Sequence, residues 1–227
     1  MLEAPGRRLL RRGVLVALEG IDGAGKTTQS KRLRDRLDEL GFLSSFFHEP
    51  TDGEWGKKIR NLAKKGRDKI KPMEELDFFL RDRIEDVRDN IKPALEKKSV
   101  VVMDRYYFSN VAYQGALGLD PDYVERVNRD IAPEADITLI LDISPEVALR
   151  RIVHSRNSEP NHFERRDYLE KVRRIFLGHF SGRQNVRVIN GDDKRSPGEI
   201  ADEIWSIVDP VLQHLEEKGA SQTEHQE

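Results

Sequence analysis

A chain of 227 residues without cysteine excludes disulfides, thiolate metal centres and a cysteine nucleophile, and falls in the size range of one α/β domain. Its 39 Lys and Arg nearly cancel 41 Asp and Glu, so no global field draws it to nucleic acid or to anionic lipid, and neither is an expected partner. No apolar stretch is long enough to cross a bilayer, and the lack of cysteine fits a reducing compartment, so a cytoplasmic protein is expected.

The start, Gly6-Arg7-Arg8-Leu9-Leu10-Arg11-Arg12, is basic but lacks the apolar core and cleavage site of a secretory signal, and residues 1–12 read as a flexible arm. Gly13 to Leu18 is an apolar run stopped by Gly20, the pattern of a strand buried on both faces. A helix is expected over 26–40. Further strand-like runs lie at Phe42 to Phe47, Ser99 to Met103, Ile137 to Leu141 and Val186 to Ile189, with long helical patterns between them. Five strands alternating with helices imply a parallel sheet covered on both sides by right-handed crossovers. Gly20, Glu49 and Asp104 each follow a strand, so they are expected together at the carboxyl edge, where such sheets bind ligands. One domain over 13–215 is expected, followed by a polar, disordered tail from Glu216 to Glu227.

Gly20-Ile21-Asp22-Gly23-Ala24-Gly25-Lys26-Thr27 matches G-x-x-x-x-G-K-[ST] between an expected strand and an expected helix, the context that gives the pattern its meaning. Glycines let backbone N–H groups face a phosphate, and the positive end of the next helix faces the same anion. Lys26 then reaches the β- and γ-phosphates of ATP, and Thr27, followed by Thr28, offers its hydroxyl to Mg²⁺. The expected class is therefore α/β, a three-layer P-loop NTPase fold with a five-stranded parallel sheet. Asp104, at the end of Val100-Val101-Val102-Met103, is a candidate second magnesium ligand; the alternative is a structural carboxylate paired with Arg105. No Asn-Lys-x-Asp segment is present to read guanine, which favours a kinase over a GTPase switch.

Phe79 and Arg83 stand four apart on an expected helix and share a face, where a ring and a guanidinium could hold a base and its phosphate. A core Phe and a surface Arg would fit the same spacing. The histidines show no metal-ligand spacing, and His154, His162 and His179 read as surface or satisfied structural residues.

Four segments together resemble the thymidylate kinase family, P-loop enzymes that phosphorylate dTMP with ATP. They are the phosphate loop in its Gly-x-Asp-Gly-Ala-Gly-Lys-Thr-Thr form, Glu49-Pro50-Thr51, Phe79-Leu80-Arg81-Asp82-Arg83, and the run from Asp104 to Gly115. The resemblance spans about residues 13 to 205. It implies that Phe79 stacks on thymine, that Arg83 and Arg105 bind the monophosphate, and that Asp22 faces the acceptor sugar and its reacting phosphate. It further implies a nucleoside pocket lined by Asn110 and Tyr113 near Ser109 and Gln114, with Glu49 and Pro50 on the substrate side, and a homodimer. The segment around 150–166 resembles the family's lid. Its departures are His162, where many members carry Arg, and His48, where many carry Arg before Glu-Pro. Arg151 and Arg156 are the candidates for the lid arginine that stabilises the transferred phosphoryl group. Two other readings remain open at this point: a deoxynucleoside kinase using Glu49 as base, with Trp55 downstream, and a non-catalytic ATP sensor.

Overall fold

The computed structural model describes residues 6–65, 70–156 and 166–217; the side chains of residues 64, 65, 155 and 156 fall outside that description. Five strands form one sheet: β1 Val14–Glu19, β2 Ser44–His48, β3 Val100–Asp104, β4 Ile137–Asp142 and β5 Val186–Asn190. Their order is β2-β3-β1-β4-β5 and every pairing is parallel, as the alternating pattern predicts. β1 at the centre and β3 beside it are buried along their whole length, which accounts for sequences that are apolar up to the terminal Glu19 and Asp104.

Helices lie between the strands: α1 Lys26–Glu39, α2 Glu54–Lys65, α3 Pro72–Asp86, α4 Lys92–Glu96, α5 Tyr107–Ala116, α6 Pro121–Arg129, α7 Pro145–Arg156, α8 Arg166–Ile175 and α9 Pro197–Leu215. A wide turn over Val87–Ile91 joins α3 to α4. Pro93 has no N–H to donate and its ring crowds the preceding turn, so the helix widens there. The start of α9 is closed by a capping box, in which Ser196 Oγ accepts from the Glu199 amide (3.2 Å) and Glu199 Oε2 accepts from the Ser196 amide (2.7 Å).

Residues 8–12, expected as part of a flexible arm, are docked against the domain. Arg8 forms a bidentate pair with Glu216 (2.7 and 2.6 Å) and stacks over the Phe42 ring at 4.1 Å, while Leu10 is buried. Backbone bridges Arg8↔Phe42 and Leu10↔Glu216 tie residues 8–10 to the segment before β2 and to the residue after α9. The first two tail residues, Glu216 and Glu217, are therefore ordered by pairing; residues 218–227 lie outside the described residues.

The register aligns the carboxyl ends of the three strands that carry the expected chemistry. His48 and Leu18 both pair with Asp104, the Glu49 amide donates to Asp104 O (3.2 Å), and the Arg105 amide donates to Leu18 O (3.0 Å). Gly20, Glu49 and Asp104 thus meet at one edge, as expected.

Candidate active site

The phosphate loop runs from the end of β1 into α1. Gly20 (φ 134°) passes so close to β4 that a Cβ there would lie 2.5 Å from Leu141 O, and Gly25 opens α1 in the left-handed region (φ 92°), so both positions need glycine. Ile21 and Ala24 turn their side chains into the core, leaving the loop's backbone to the cavity side. Lys26 is buried and donates to Ile21 O (2.8 Å), folded over its own loop. Burial, and then the charge of Arg105, lowers the Lys26 ammonium to about 8. Thr27 Oγ1 donates to the Asp104 carboxylate, so the two expected metal ligands are already in contact.

Two cavities adjoin this loop. One, of about 680 Å³, is lined by Gly23, Gly25, Lys26, Thr27, Thr28, His48, Asp52, Asp104, Arg151 and Ile152. The other, of about 310 Å³, is lined by Phe79, Arg83, Tyr106, Ser109, Asn110, Tyr113 and Gln114, with Ile59 and Ala63 of α2. Asp22, Glu49, Pro50, Arg60 and Arg105 line both. The expected ATP-side and acceptor-side residues therefore sort into two adjoining spaces with a common wall.

Arg105 is the hub of that wall. It takes a left-handed backbone (φ 70°), and its guanidinium donates to Asp22 Oδ1 (2.5 Å), Ser109 Oγ (2.8 Å) and Gly20 O (3.2 Å). Burial raises the Asp22 carboxyl, but Arg105 and Lys26 outweigh it and hold the group below its ordinary range. Tyr113 closes the ring: its phenol accepts from the Asp22 amide (3.0 Å) and donates to Asp22 Oδ2 (3.2 Å).

Arg83, the other arginine expected at the monophosphate, lies off the wall that the two cavities share. It is 1% exposed, lines only the smaller cavity, and bonds the Glu49 carboxylate through Nε (3.2 Å) and Nη2, and Asn128 through Nη1. Burial pushes the Glu49 carboxyl up against the opposing pull of Arg83, and both Glu49 oxygens are held in the pair. Phe79 lies one helical turn before Arg83 on α3 and lines the same cavity. Asn110 Nδ2 and both amide atoms of Gln114 are buried there without a partner among the described residues. Buried polar atoms of this kind usually await a ligand or water. Trp55 packs on Phe78 (centroids 5.6 Å apart) and lines neither cavity.

On the lid side, Arg151 lines the larger cavity and donates to Gly191 O (2.9 Å) while paired with Asp193 (2.7 Å). Arg156 ends α7, with its side chain outside the described residues, and His162 and most of the expected lid fall in the undescribed segment 157–165.

Sequence reasoning missed three residues. Arg60 on α2 faces both cavities and donates to Pro50 O (2.9 Å) and Thr51 O (2.7 Å); in the sequence it is one cation among Lys57, Lys58 and Lys64. Glu19 is fully buried and accepts from the amides of Tyr106 (2.9 Å) and Ser109 (3.1 Å) and from Ser109 Oγ, so it caps α5 from a neighbouring strand and steadies the serine that holds Arg105. A charge ending a doubly buried strand was the signal for it. Asn128 on α6 had no signal, since it is remote in sequence from everything it touches outside its own helix.

A glycine-rich turn that delivers a lysine, a hydroxyl and a helix N-terminus to one cavity, with an arginine-walled cavity alongside, defines a P-loop phosphotransferase. The chain belongs to the thymidylate kinase family, whose sequence model matches residues 18–204. It is 41% identical to a probable thymidylate kinase of Archaeoglobus fulgidus over 199 residues, covering 88% of this chain and 96% of the relative. It is also 46% identical to a thymidylate kinase of Xanthomonas oryzae over 166 residues (73% and 71% of the two chains). A thymidylate kinase of Xylella fastidiosa shares 47% over 165 residues (73% and 74%).

Proposed function

We propose that this protein transfers the γ-phosphate of ATP to dTMP, giving dTDP, with the larger cavity as donor site and the smaller as acceptor site. The observation that carries the reading is the shared wall of Asp22, Glu49, Pro50, Arg60 and Arg105, which sets the cavity of the phosphate loop directly beside the cavity that Phe79 lines. A nucleoside monophosphate is largely dianionic at pH 7, so its oxygen attacks the γ-phosphorus without a general base. The enzyme's task is to align two anions that repel each other and to neutralise the charge that builds between them.

Lys26 serves the β- and γ-phosphates, swinging from Ile21 O to the nucleotide, whose charge restores its full protonation. Arg105, with Arg60 beside it, holds the acceptor phosphate, and Asp22 keeps Arg105 aimed while facing the acceptor sugar. Arg83 belongs to the base end, a revision of its expected role that rests on its burial and on its absence from the donor cavity lining. Phe79 supplies a stacking face, and Asn110 and Gln114 supply amide groups that pair with the base edge. Arg151, at the donor cavity, is the arginine best stationed for the transferred group.

Among the described residues no group of three or more acidic, histidine or cysteine side chains can hold a metal by itself. Thr27 and Asp104, an all-oxygen pair in the donor cavity, fit Mg²⁺ carried in with nucleotide phosphates. When bound, that ion would neutralise phosphate charge alongside Lys26. The homodimer that the family resemblance implies stays part of this proposal; a surface it could use is the groove of Ile84, 45% exposed on α3, with Val87, Pro93 and Ile131 and the charged Arg88, Lys92 and Glu96. Among the described residues no helix is long and apolar enough to cross a membrane; the cytoplasmic location we propose rests on the absence of cysteine, which fits a reducing compartment.

The runner-up, a deoxynucleoside kinase with Glu49 as base, loses its footing because Arg83 holds that carboxylate and Trp55 lies outside both cavities. The test follows γ-labelled ATP incubated with dTMP, with and without EDTA. Label appearing in dTDP only when magnesium is free supports the reading; label appearing in inorganic phosphate alone contradicts it.

A further inference from the structure

Asn128 lines neither cavity, is fully buried, and sits on α6, an element with no part in phosphate chemistry. Its side chain nevertheless touches two residues of the acceptor cavity. Its Oδ1 accepts from Arg83 Nη1, and its Nδ2 donates to Asn110 Oδ1 (3.0 Å) and Val124 O (2.8 Å). The sense of this amide is forced. A flipped Asn128 would set its NH₂ against a guanidinium, which has only donors, and its oxygen against the Val124 carbonyl, which has only lone pairs. With Asn128 fixed, Asn110 is fixed in turn: its oxygen faces the Asn128 donor, and its Nδ2 remains a buried atom without a partner in a side chain that lines the cavity.

The geometry points to Asn128 as a positioning residue for base specificity. It locks Asn110 in the orientation that offers the acceptor site a hydrogen-bond donor, so the site selects a base carrying a carbonyl over one carrying an amino group at that point. The polarity relay runs from the Val124 carbonyl and the Arg83 cation, through Asn128, to Asn110. No contact between Asn128 and the substrate is needed. This inference rests on the reading of the smaller cavity as the nucleoside monophosphate site.

Asn128→Asp is the discriminating variant. The carboxylate it introduces still accepts from Arg83 but can no longer donate to Asn110, whose other contact, Arg83 Nη1 at 3.4 Å, is long. Asn110 then turns its Nδ2 to that carboxylate and its oxygen to the cavity. The assay compares dTMP with the monophosphate of 5-methyldeoxycytidine, which keeps the methyl group and exchanges the carbonyl edge for an amino edge. In Asn128→Asp the ratio of kcat/KM for these two acceptors should fall by about 10- to 100-fold, the scale of a mispaired buried hydrogen bond, with KM for ATP unchanged. Asn128→Ala frees Asn110 without reversing it, so KM for dTMP should rise while the ratio falls less than in Asn128→Asp.

A purely structural Asn128 would lower Tm and total activity and leave the ratio where it was; an unchanged ratio in both variants overturns the inference. Should Asn128→Asp not fold, side-chain amide NMR of the wild-type protein decides. Asn110 Nδ2 protons should shift on dTMP binding while those of Asn128 stay protected and unmoved, and freely exchanging Asn128 protons would contradict the relay. A wild type that does not phosphorylate dTMP at all fails the functional reading instead.

Discussion

Replacing Arg105 with Ala removes the guanidinium that the two cavities share. If the acceptor phosphate takes two charge-assisted hydrogen bonds from this side chain, each contributes about 1.5 to 3 kcal/mol. Their joint loss lowers kcat/KM for dTMP by about 10² to 10⁴, measured as ADP release at saturating ATP and magnesium. Affinity for ATP should change by less than about tenfold, because the loop backbone and Lys26 remain. A second readout comes from Lys26. Burial is the larger cause of its lowered pKa and Arg105 the next, so the alanine variant should move the Lys26 titration upward from about 8. The backbone supplies a third. Arg105 has φ 70°, which glycine adopts freely, so Arg105→Gly should be more stable than Arg105→Ala by about 1 kcal/mol while equally inactive. Near-normal turnover of dTMP in Arg105→Ala, or a collapse of ATP affinity with dTMP affinity intact, would refute the assignment of Arg105 to the acceptor phosphate.

Lys26→Ala should abolish turnover and keep the fold, since the ammonium's burial opposes its charge and adds nothing to the core; a circular dichroism melt and the ADP assay check both halves. In the wild type, the kcat/KM for ATP needs protonated Lys26, so it should decline as pH rises through about 8, the free-enzyme value. Because that folded value lies below the unfolded one, the same group makes folding more favourable as pH climbs above 8; a kcat/KM for ATP that rises through pH 8, or a contribution to stability that falls there, would contradict the sign. Phe79→Ala should weaken dTMP by about 1 to 3 kcal/mol and spare ATP, measured by calorimetric titration of each ligand; lost ATP binding would move Phe79 to the donor side. Arg83→Ala leaves Glu49 buried without its partner, so it should cost about 3 to 5 kcal/mol of stability by denaturant titration, and a loss under about 1 kcal/mol would show that the pair is not desolvated as described.

The sheet was legible because a strand buried on both faces must be apolar throughout, and the Val14, Val100 and Ile137 runs advertise that locally. The apolar run begins two residues before β2 because Phe42 is apolar for another reason, packing beneath Arg8. The phosphate loop was legible because its function resides in consecutive backbone amides. What escaped depends on contacts between distant segments. Arg8 meets Glu216 across the whole chain, Glu19 caps a helix that begins at Tyr107, and Asn128 reaches Arg83 from another element. The face shared by Phe79 and Arg83 was read correctly, but helical spacing says nothing of depth. Only the fold shows Arg83 sealed against Glu49 and Arg60 standing at the wall instead.

The central claim is that the acceptor is a nucleoside monophosphate whose phosphate is held at the wall between the cavities. The most direct measurement is kcat/KM for dTMP and for thymidine with the wild-type protein and with Glu49→Gln, at saturating ATP and magnesium. The account predicts that dTMP is strongly preferred and that thymidine is a very poor substrate for both proteins, since it brings no phosphate to Arg105 and Arg60. Preference for thymidine, abolished by Glu49→Gln, would contradict it.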